Sequence, residues 1–410
     1  MPSFIHCADL HLGRTQYGLE ERFEDFGRAF AGIVDYALQN GVDFVLICGD
    51  LFDRRNINAR TLIQATAQLK RLKNAGIPVI AVEGNHDKAL RRDKISWMRY
   101  LAEEGLIKLL KPDFEGGRLA LKKWDEGFKE GAVLEIEGVR IYGLGYLGSV
   151  AGRRLRELAE MIEPDDAFAV LMLHAGIGRM MGIELGSVKK EELEPLRGKI
   201  DYVALGHLHG RAEVDGWIFN PGAPECVDVE ESRYDKGFYH VEVEGKSFSA
   251  RFIPSQRREV YLGEVDLTGA TDPVSAAERA IEEVDWEALR SMTRPIVRLV
   301  LKGEVGFDAM TIDLEAIRAE INARADPLVV EVVNLVNLAP RSVRPAAGSR
   351  REEIEREVLR EMISSSPYGR WTEELIEAVL SLKSMALSGS EPEEIVSFIK
   401  RVASEMNSSP

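Results

Sequence analysis

The chain has 410 residues, a formal net charge of −15, and 45% hydrophobic and 30% charged residues. This length accommodates two or three domains, and the composition is that of a soluble globular protein. No run approaches the roughly 18 consecutive apolar residues of a membrane-spanning helix, and the acidic balance argues against bulk attraction to nucleic acid, although not against a local basic groove or a metal-loaded site.

The amino terminus lacks the basic region and apolar stretch of a secretory signal peptide, so we expect a cytoplasmic protein. The three cysteines, Cys7, Cys48 and Cys226, show no CxxC spacing. They are therefore interpreted as small buried thiols in a reducing compartment.

Apolar runs and helical periodicity alternate over the first 90 residues. Residues 4–8, 43–48 and 78–82 are predicted strands, and residues 23–40 and 59–74 are predicted helices. This β-α-β-α-β order predicts right-handed crossovers and a parallel sheet, and hence an α/β fold.

A second set of elements follows the first. A hairpin is predicted at 133–142, a helix at 153–162, and strands at 168–173, 202–205, 217–219 and 238–243. Between the two sets, residues 88–99 carry five basic residues, Lys88, Arg91, Arg92, Lys94 and Arg99, against one acid, Asp93. This stretch is either a solvated helix face or a phosphate-contacting edge beside a site.

Polar side chains cluster just past the carboxyl ends of five predicted strands, where ligands bind in open α/β sheets. They are Asp9 and His11, Asp50 and Asp53, Asn85 and His86, His174, and His207 and His209. Five of the seven histidines belong to this set. Helix capping does not explain these five histidines, because capping residues are Ser, Thr, Asp and Asn. The other two histidines, His6 and His240, are predicted to be structural.

Imidazole, carboxylate and amide oxygen suit Mn²⁺, Fe or Zn²⁺, so these clusters predict a two-metal site. Two close cations need a bridging ligand, and Asp50, in the middle of the series, is the natural candidate. Such a pair clamps a phosphate, activates a water molecule and stabilises in-line displacement at phosphorus. A histidine that is not a ligand could protonate the leaving oxygen.

The five blocks, in order, resemble the signature of calcineurin-like metallophosphoesterases. The segments at 9–13, 49–53 and 220–225 (DLHLG, GDLFD and NPGAPE) are similar to those of the DNA double-strand-break repair nucleases of the MRE-eleven and SbcD type. The resemblance is strong as far as residue 260 and weak beyond it. It implies a β-sandwich core flanked by helices, a small α+β capping domain and a helical carboxyl-terminal segment.

The resemblance also implies roles for the clustered residues. One metal would be held by Asp9, His11, Asp50 and His209, and the other by Asp50, Asn85, His174 and His207. The resemblance implies two ions, and Mn²⁺ is the preferred ion in such nucleases, with Fe or Zn²⁺ as alternatives. His86 would be the proton donor or transition-state stabiliser. Archaeal and eukaryotic members often carry histidine where this chain has Asp53, so Asp53 is predicted to orient His86 or His11 rather than bind metal.

Four segments are predicted: a nuclease domain at 1–259, a DNA-capping domain at 260–338, a linker at 339–349, and a helical segment at 350–410. The capping domain is expected to have strands at 260–265, 296–301 and 329–333 and helices at 274–284 and 312–323.

The helical segment shows apolar faces that such short helices cannot bury alone. These faces are Ile354, Val358 and Met362, then Leu375, Ile376, Val379 and Leu380, then Ile395, Val396, Ile399, Val402 and Met406. The resemblance implies that they bind a coiled-coil ABC ATPase (Rad-fifty or SbcC type); the alternative is that they pack back on the capping domain. It also implies a homodimer, for which the candidate interface residues are Leu62, Ile63, Leu69, Trp97, Met98 and Leu101.

Three functions remain open from the sequence. The first is a metal-dependent DNA exonuclease and endonuclease that processes double-strand-break ends. The second is a calcineurin-like phosphatase or cyclic-nucleotide phosphodiesterase, and the third is a non-catalytic scaffold that tethers DNA ends. The capping domain and the carboxyl-terminal segment disfavour the second, and a free histidine beside the metals disfavours the third.

Overall fold

The computed structural model describes residues 1–90, 93–178, 186–339, 351–364 and 368–408. The chain forms two compact units. The first comprises Met1–Asp266, Ala277–Lys302 and Asp313–Leu335, and the second comprises Leu267–Ala276, Gly303–Ile312 and Val336–Pro410. The domain limits expected from the sequence stay predictions, and the expected linker lies almost entirely outside the described residues.

The part of the first unit that precedes residue 255 contains most of the strands. Its strands are β1 (Ser3–Cys7), β2 (Phe44–Cys48), β3 (Val79–Val82), β4 (Lys108–Leu109), β5 (Asp113–Glu115), β6 (Arg118–Ala120), β7 (Val133–Ile136), β8 (Val139–Gly145), β9 (Phe168–Leu173), β10 (Gly176–Ile177), β11 (Ser187–Val188), β12 (Tyr202–Leu205), β13 (Ala212–Val214), β14 (Ile218–Asn220), β15 (Gly237–Glu244) and β16 (Ser247–Pro254). Its helices are α1 (Glu20–Asn40), α2 (Ala59–Asn74), α3 (Trp97–Glu103), α4 (Ala151–Met161) and α5 (Lys190–Leu193).

Two six-stranded sheets form the core. The first has the order β16-β15-β1-β2-β3-β4, and the second has the order β13-β14-β12-β9-β8-β7. Strands β1 to β4 are mutually parallel, as are β8, β9, β12 and β14. The predicted α/β fold is confirmed, and the parallel register brings the carboxyl ends of neighbouring strands to one edge of each sheet.

The inner faces of the two sheets share one apolar core. Phe4 on β1 stacks on Phe44 at 5.0 Å between ring centroids, and its ring meets the edge of Tyr202 on β12 at 5.7 Å. Helices α1, α2 and α3 cover the outer face of the first sheet, and α4 and α5 cover that of the second. Strands buried on both faces explain the continuous apolar runs in the sequence.

Helix α1 shows what the sequence pattern could and could not predict. Its buried stripe includes Phe26, Phe30 and Ile33, and Gly41 ends it in the left-handed conformation at φ 60°. The helix begins at Glu20, earlier than predicted, because Leu19 at its amino-terminal end makes no side-chain cap that would mark the start.

The chain after residue 259 adds a small α+β region. Its elements are β17 (Val260–Asp266), α6 (Pro273–Glu282), α7 (Trp286–Ser291), β18 (Ile296–Lys302), β19 (Glu304–Val305), α8 (Leu314–Ala325), β20 (Val329–Asn334) and β21 (Asn337–Leu338). Strands β17, β18 and β20 form a parallel sheet within the first unit. Arg258, just before β17, donates two hydrogen bonds to the Asp25 carboxylate of α1, at 2.5 and 2.8 Å, which fixes the start of this sheet on the core of the first unit.

The second unit ends in three helices. They are α9 (Arg351–Ser364), α10 (Thr372–Ser388) and α11 (Pro392–Ser408). Ion pairs join α9 to α10, as between Arg360 and Glu373 at 2.8 Å. Ile376 is fully buried, whereas Val396 and Ile399 on α11 are each 48% exposed. The side chains of Ile354 and Met406, which belong to the predicted apolar faces, lie outside the described residues.

Three of the candidate dimer residues were wrong. Leu69, Met98 and Leu101 are fully buried in the core under the first sheet, so they cannot form a surface, while Ile63 is 66% exposed. The helical spacing identified an apolar face but not the side of the helix that the core covers. None of the helices in the described part of the chain has both the length and the apolar character that a membrane crossing requires.

Candidate metal centre

The residues predicted to share a site follow strand ends in both sheets, after β1, β2 and β3 in the first and after β9 and β12 in the second. The chain turns sharply there, because Asp9, His11, Asp50 and His207 have φ values of 54°, 45°, 50° and 84°. Such left-handed conformations of non-glycine residues concentrate at functional sites. The loops after β1 and β2 are joined directly, since the His11 amide donates to the Asp50 carbonyl at 3.1 Å.

Two glycines allow these loops to approach. A Cβ atom on Gly84 would lie 2.0 Å from Oδ1 of Asp50, and one on Gly49 would lie 2.2 Å from Nδ1 of His174. Gly49 also has a φ of 90°. Both distances are far inside van der Waals contact, so any larger residue would displace a predicted ligand.

The first group of donors consists of Asp9, His11 and His209, whose ligand atoms lie within 4.8 Å of one another. The Nε2 atoms of His11 and His209 are 3.1 Å apart. Nδ1 of His209 lies 2.6 Å from Oε1 of Glu231, whose Oε2 accepts from Lys236 at 2.7 Å. Burial opposes ionisation of Glu231, but the hydrogen bond from His209 and the nearby charges lower its pKa to about 2. His209 therefore donates through Nδ1 and turns Nε2 toward the centre.

The second group surrounds His174. Its Nδ1 donates to the Cys48 carbonyl at 2.7 Å, so Nε2 points into the centre. That Nε2 lies 3.3 Å from Oδ2 of Asp50 and 3.2 Å from Oδ1 of Asn85. The same Asn85 oxygen lies 3.0 Å from Nδ1 of His207.

These contacts fit a divalent metal centre. In its neutral form, His174 directs the Nε2 lone pair at two oxygens, and Nε2 of His209 faces Nε2 of His11. Facing lone pairs repel one another unless a proton or a cation lies between them. Imidazole, carboxylate and amide oxygen are ligands for Mn²⁺, Fe and Zn²⁺, so the donor set supplies what such an ion requires.

Protons and metal ions compete for these donors. Burial alone would lower the pKa of His174, but the charge of Asp50 outweighs burial and raises the pKa to about 9. Burial would in turn raise the pKa of Asp50, yet the charge of His174 keeps it well below its usual value. Burial lowers the pKa of His11. Without a cation, a proton therefore occupies the position between His174 and Asp50.

His86 lies at the edge of this group and not within it. Its backbone amide donates to Oδ1 of Asp50 at 2.9 Å, and its Nδ1 donates to the Asp53 carbonyl at 2.6 Å. The Asp53 carboxylate lies 3.6 Å from Nδ1 of His11 and accepts from Arg14 at 3.1 Å. Asp53 thus contacts both histidines that it was predicted to orient, one through its backbone and one through its side chain.

Asp87 is a buried residue whose role sequence reasoning missed, although it belongs to the Gly84–Asp87 segment. Its carboxylate accepts the amides of Gly84 at 2.9 Å, Phe52 at 3.1 Å and Leu51 at 3.3 Å. Burial, with the charge of Asp50, raises the pKa of Asp87 to about 7. Asp87 joins the loops after β2 and β3 and so fixes their relative positions.

The two remaining histidines lie in the core, as predicted. Nε2 of His6 donates to the Leu205 carbonyl at 2.9 Å, and its Nδ1 lies 2.9 Å from the Tyr202 hydroxyl. Burial lowers the pKa of His6 to about 4. His240 is mostly buried, with Nδ1 lying 3.1 Å from the Tyr36 hydroxyl.

Two described basic residues of the 88–99 stretch, Lys88 and Arg99, have different surroundings. The Lys88 ammonium lies 4.9 Å from the ring centroid of Tyr146, which borders the metal centre. Arg99 donates instead to the carbonyls of Lys129 and Phe128, at 2.8 and 3.1 Å, and so has a local structural role. Arg91 and Arg92 lie outside the described residues.

Known proteins resemble this chain over most of its length. Residues 2–211 match the model of the calcineurin-like phosphoesterase family. The DNA double-strand break repair protein Mre11 of Sulfolobus acidocaldarius is 30% identical over 324 residues, which cover 77% of this chain and 79% of that protein. Mre11 of Sulfurisphaera tokodaii is 29% identical, covering 73% of each chain. The uncharacterized metallophosphoesterase YhaO of Bacillus subtilis is 31% identical, covering 73% of this chain and 72% of that protein.

The family match spans half of the chain and includes all the strand-end clusters from Asp9 to His209. The similarity to the Mre11 proteins extends over three quarters of the sequence, well beyond the matched phosphoesterase region. The chain therefore belongs to the calcineurin-like phosphoesterase family, as a metal-dependent phosphodiesterase of the Mre11 group.

Proposed function

We propose that this protein is a DNA nuclease that processes double-strand-break ends, as exonuclease and endonuclease, by hydrolysis with two Mn²⁺ ions. One observation carries the proposal: four histidines and two aspartates from loops of both sheets direct ligand atoms into a single centre, with a fifth histidine beside it. DNA as the substrate is supported by the relatives named as DNA double-strand break repair proteins.

The two donor groups support an assignment of ligands. One ion would be held by Asp9, His11, Asp50 and His209, and the other by Asp50, Asn85, His174 and His207. Asp50 is 2% exposed, and one of its carboxylate oxygens lies within 4.8 Å of ligand atoms of both His174 and Asp9. Asp9 in turn clusters with His11 and His209. A carboxylate placed between residues of the two proposed ligand sets is suited to bridge the ions.

Divalent cations at this centre would supply Lewis-acid polarisation of the phosphodiester and activation of a water molecule. Protonation of the leaving group would be carried out by a residue of the chain, His86. Because Nδ1 of His86 donates to the Asp53 carbonyl, Nε2 is the ring atom left to hold a proton for the departing oxygen. Asp53 fixes the ring, and Arg14 in turn fixes the Asp53 carboxylate.

Digestion of end-labelled duplex DNA by the purified full chain tests the proposal. We expect cleavage with Mn²⁺ and none with EDTA. A protein that hydrolyses p-nitrophenyl phosphate or a cyclic nucleotide under the same conditions, but leaves DNA intact, would contradict it and favour the phosphatase or cyclic-nucleotide interpretation.

Metal binding should release protons. Because the pKa of His174 is raised to about 9 without metal, this residue is protonated at pH 7.5 and must lose its proton to bind an ion. Affinity for Mn²⁺ should therefore rise as pH rises toward 9, by up to about tenfold per pH unit for one proton. Titration calorimetry in two buffers of different ionisation enthalpy measures the protons released. His174→Gln should release fewer protons than the unmodified protein, and equal release would contradict the assignment.

We also propose that α9 to α11 bind a coiled-coil ABC ATPase and that the protein acts as a homodimer. Deleting residues 350–410 should leave Mn²⁺-dependent nuclease activity intact and abolish capture of the ATPase in a pull-down, because exposed Val396 and Ile399 are removed. In the full chain, Val396→Asp with Ile399→Asp should have the same effect, whereas Val274→Asp, at a position 67% exposed on α6, should not. Capture by the shortened chain would show that the partner binds elsewhere.

A further inference from the structure

A cavity of about 300 Å³ opens beside the metal centre. Its lining includes Glu83, Lys88, Lys111, Phe114, Tyr146 and Leu147. The ring of Tyr146 forms the wall shared with the centre, because it lies 5.6 Å from the ring of His207 and 6.1 Å from that of His174, between centroids. A group bound in this cavity would therefore be next to whatever the metal ligands hold.

One side of the cavity is cationic. Lys88 lies over Tyr146 at 4.9 Å, and Lys111 donates to the Glu83 carboxylate at 3.3 Å. Two lysines against one glutamate give a local positive charge, in a chain whose net charge is −15. Such a position attracts a phosphate that the rest of the acidic surface would repel.

The lining of the cavity also includes an aromatic ring. Phe114, in the hairpin of β5 and β6, is 44% exposed. The guanidinium of Arg154 covers one face of this ring at 4.6 Å from the centroid. Arg154 is itself buried and donates to the Gly117 carbonyl at 2.8 Å and to Glu157 at 2.6 Å. The ring is thus supported on one face by a buried guanidinium, and its exposed part can contact a bound group.

We infer that this cavity is a subsite for one unpaired nucleotide adjacent to the phosphodiester that is cleaved. The base stacks on the exposed part of the Phe114 ring, and the flanking phosphate lies between Lys88 and Lys111. A volume of about 300 Å³ is at the lower end for small-ligand pockets, which suits a single nucleotide. A base within a duplex is stacked on both faces and must leave the stack to enter, so the subsite favours ends that carry an unpaired nucleotide.

The inference rests on the proposed nuclease function. Its test measures DNA binding separately from DNA cleavage. The full chain in EDTA is titrated against duplexes with a short single-stranded end in which each nucleotide in turn is abasic, and binding is followed by fluorescence anisotropy. We expect about tenfold weaker binding when one particular base is missing, because base–aromatic stacking contributes on this scale. Phe114→Ala should bind the intact and abasic ends equally.

Two further variants complete the design. Phe114→Trp keeps a stacking surface and should still discriminate against the abasic end. Phe128→Ala removes a phenylalanine that is 75% exposed and does not line the cavity, so it should behave as the unmodified chain. Both comparisons test stacking and not the mere presence of a large side chain.

The inference is overturned if the unmodified chain binds intact and abasic ends alike at every position, a result that needs no folded variant. It is also overturned if Phe114→Ala keeps the discrimination, or if only Lys88→Gln and Lys111→Gln weaken binding, which would leave a phosphate contact without a nucleotide site. Incubation of the same DNAs with Mn²⁺ tests the proposed function separately: discrimination in binding without any cleavage would refute the nuclease and leave the subsite standing.

Discussion

Replacing His86 with alanine should reduce DNA hydrolysis by about 10²- to 10⁴-fold, the range that one general acid contributes, and should leave DNA binding unchanged. The imidazole is held by its Nδ1 hydrogen bond to the Asp53 carbonyl, and only its backbone amide contacts Asp50. Alanine keeps that amide and so keeps the position of the carboxylate. The rate of digestion of labelled duplex DNA in Mn²⁺, beside the affinity for the same DNA, measures both effects.

His240→Gln is the matched control, because the described contacts of the His240 ring are with Tyr36 and not with the predicted metal ligands. It should digest DNA as the unmodified protein does. If His86→Ala hydrolysed DNA at the normal rate, the leaving group would take its proton from another group. If it lost affinity for DNA in place of turnover, His86 would be a binding residue, and a tethering function would gain support.

The hydrophobic pattern of the strands and the position of the polar clusters just after them made most of the centre predictable. Each cluster follows a buried run that reads as a strand, and parallel strands bring their carboxyl ends to one edge of a sheet. The strand ends after β1 and β12 are far apart in sequence, yet His11 and His209 meet at 3.1 Å. His6 was separable from this set by its position within a strand and not after it.

The residues that support the ligands were not predictable in the same way. Glu231 lies in a short 3-10 helix (Val229–Arg233), 22 residues from His209, and nothing in its local sequence marks the contact. Asp87 stood beside two predicted site residues, but its role depends on backbone amides of another loop. Apolar residues of α2 and α3 were proposed as a dimer surface, and only the packing reveals that Leu69 and Met98 are already covered by the core.

Replacing Asp50 with asparagine should have the largest effect of all, because this carboxylate is the proposed bridge between the two ions. Its Oδ1 accepts the His86 amide at 2.9 Å, and its Oδ2 lies 3.3 Å from Nε2 of His174. Asparagine keeps the size and one acceptor oxygen but removes the charge and the second anionic oxygen, so it cannot neutralise two neighbouring cations. The substitution should remove several kcal/mol of the metal-dependent stabilisation of the transition state. This corresponds to a loss of about 10³-fold or more in the rate of hydrolysis.

Calorimetric titration with Mn²⁺ distinguishes the bridge from a merely structural role for Asp50. The variant should bind fewer ions than the unmodified chain, or bind them at least tenfold more weakly. Asp43→Asn is the control, since the Asp43 carboxylate accepts the Ser3 amide at 2.7 Å at the opposite end of the same strands. It should retain full stoichiometry and activity. Two ions bound by Asp50→Asn with undiminished affinity would mean that the cations share some other ligand, and the assignment of both groups around Asp50 would have to be abandoned.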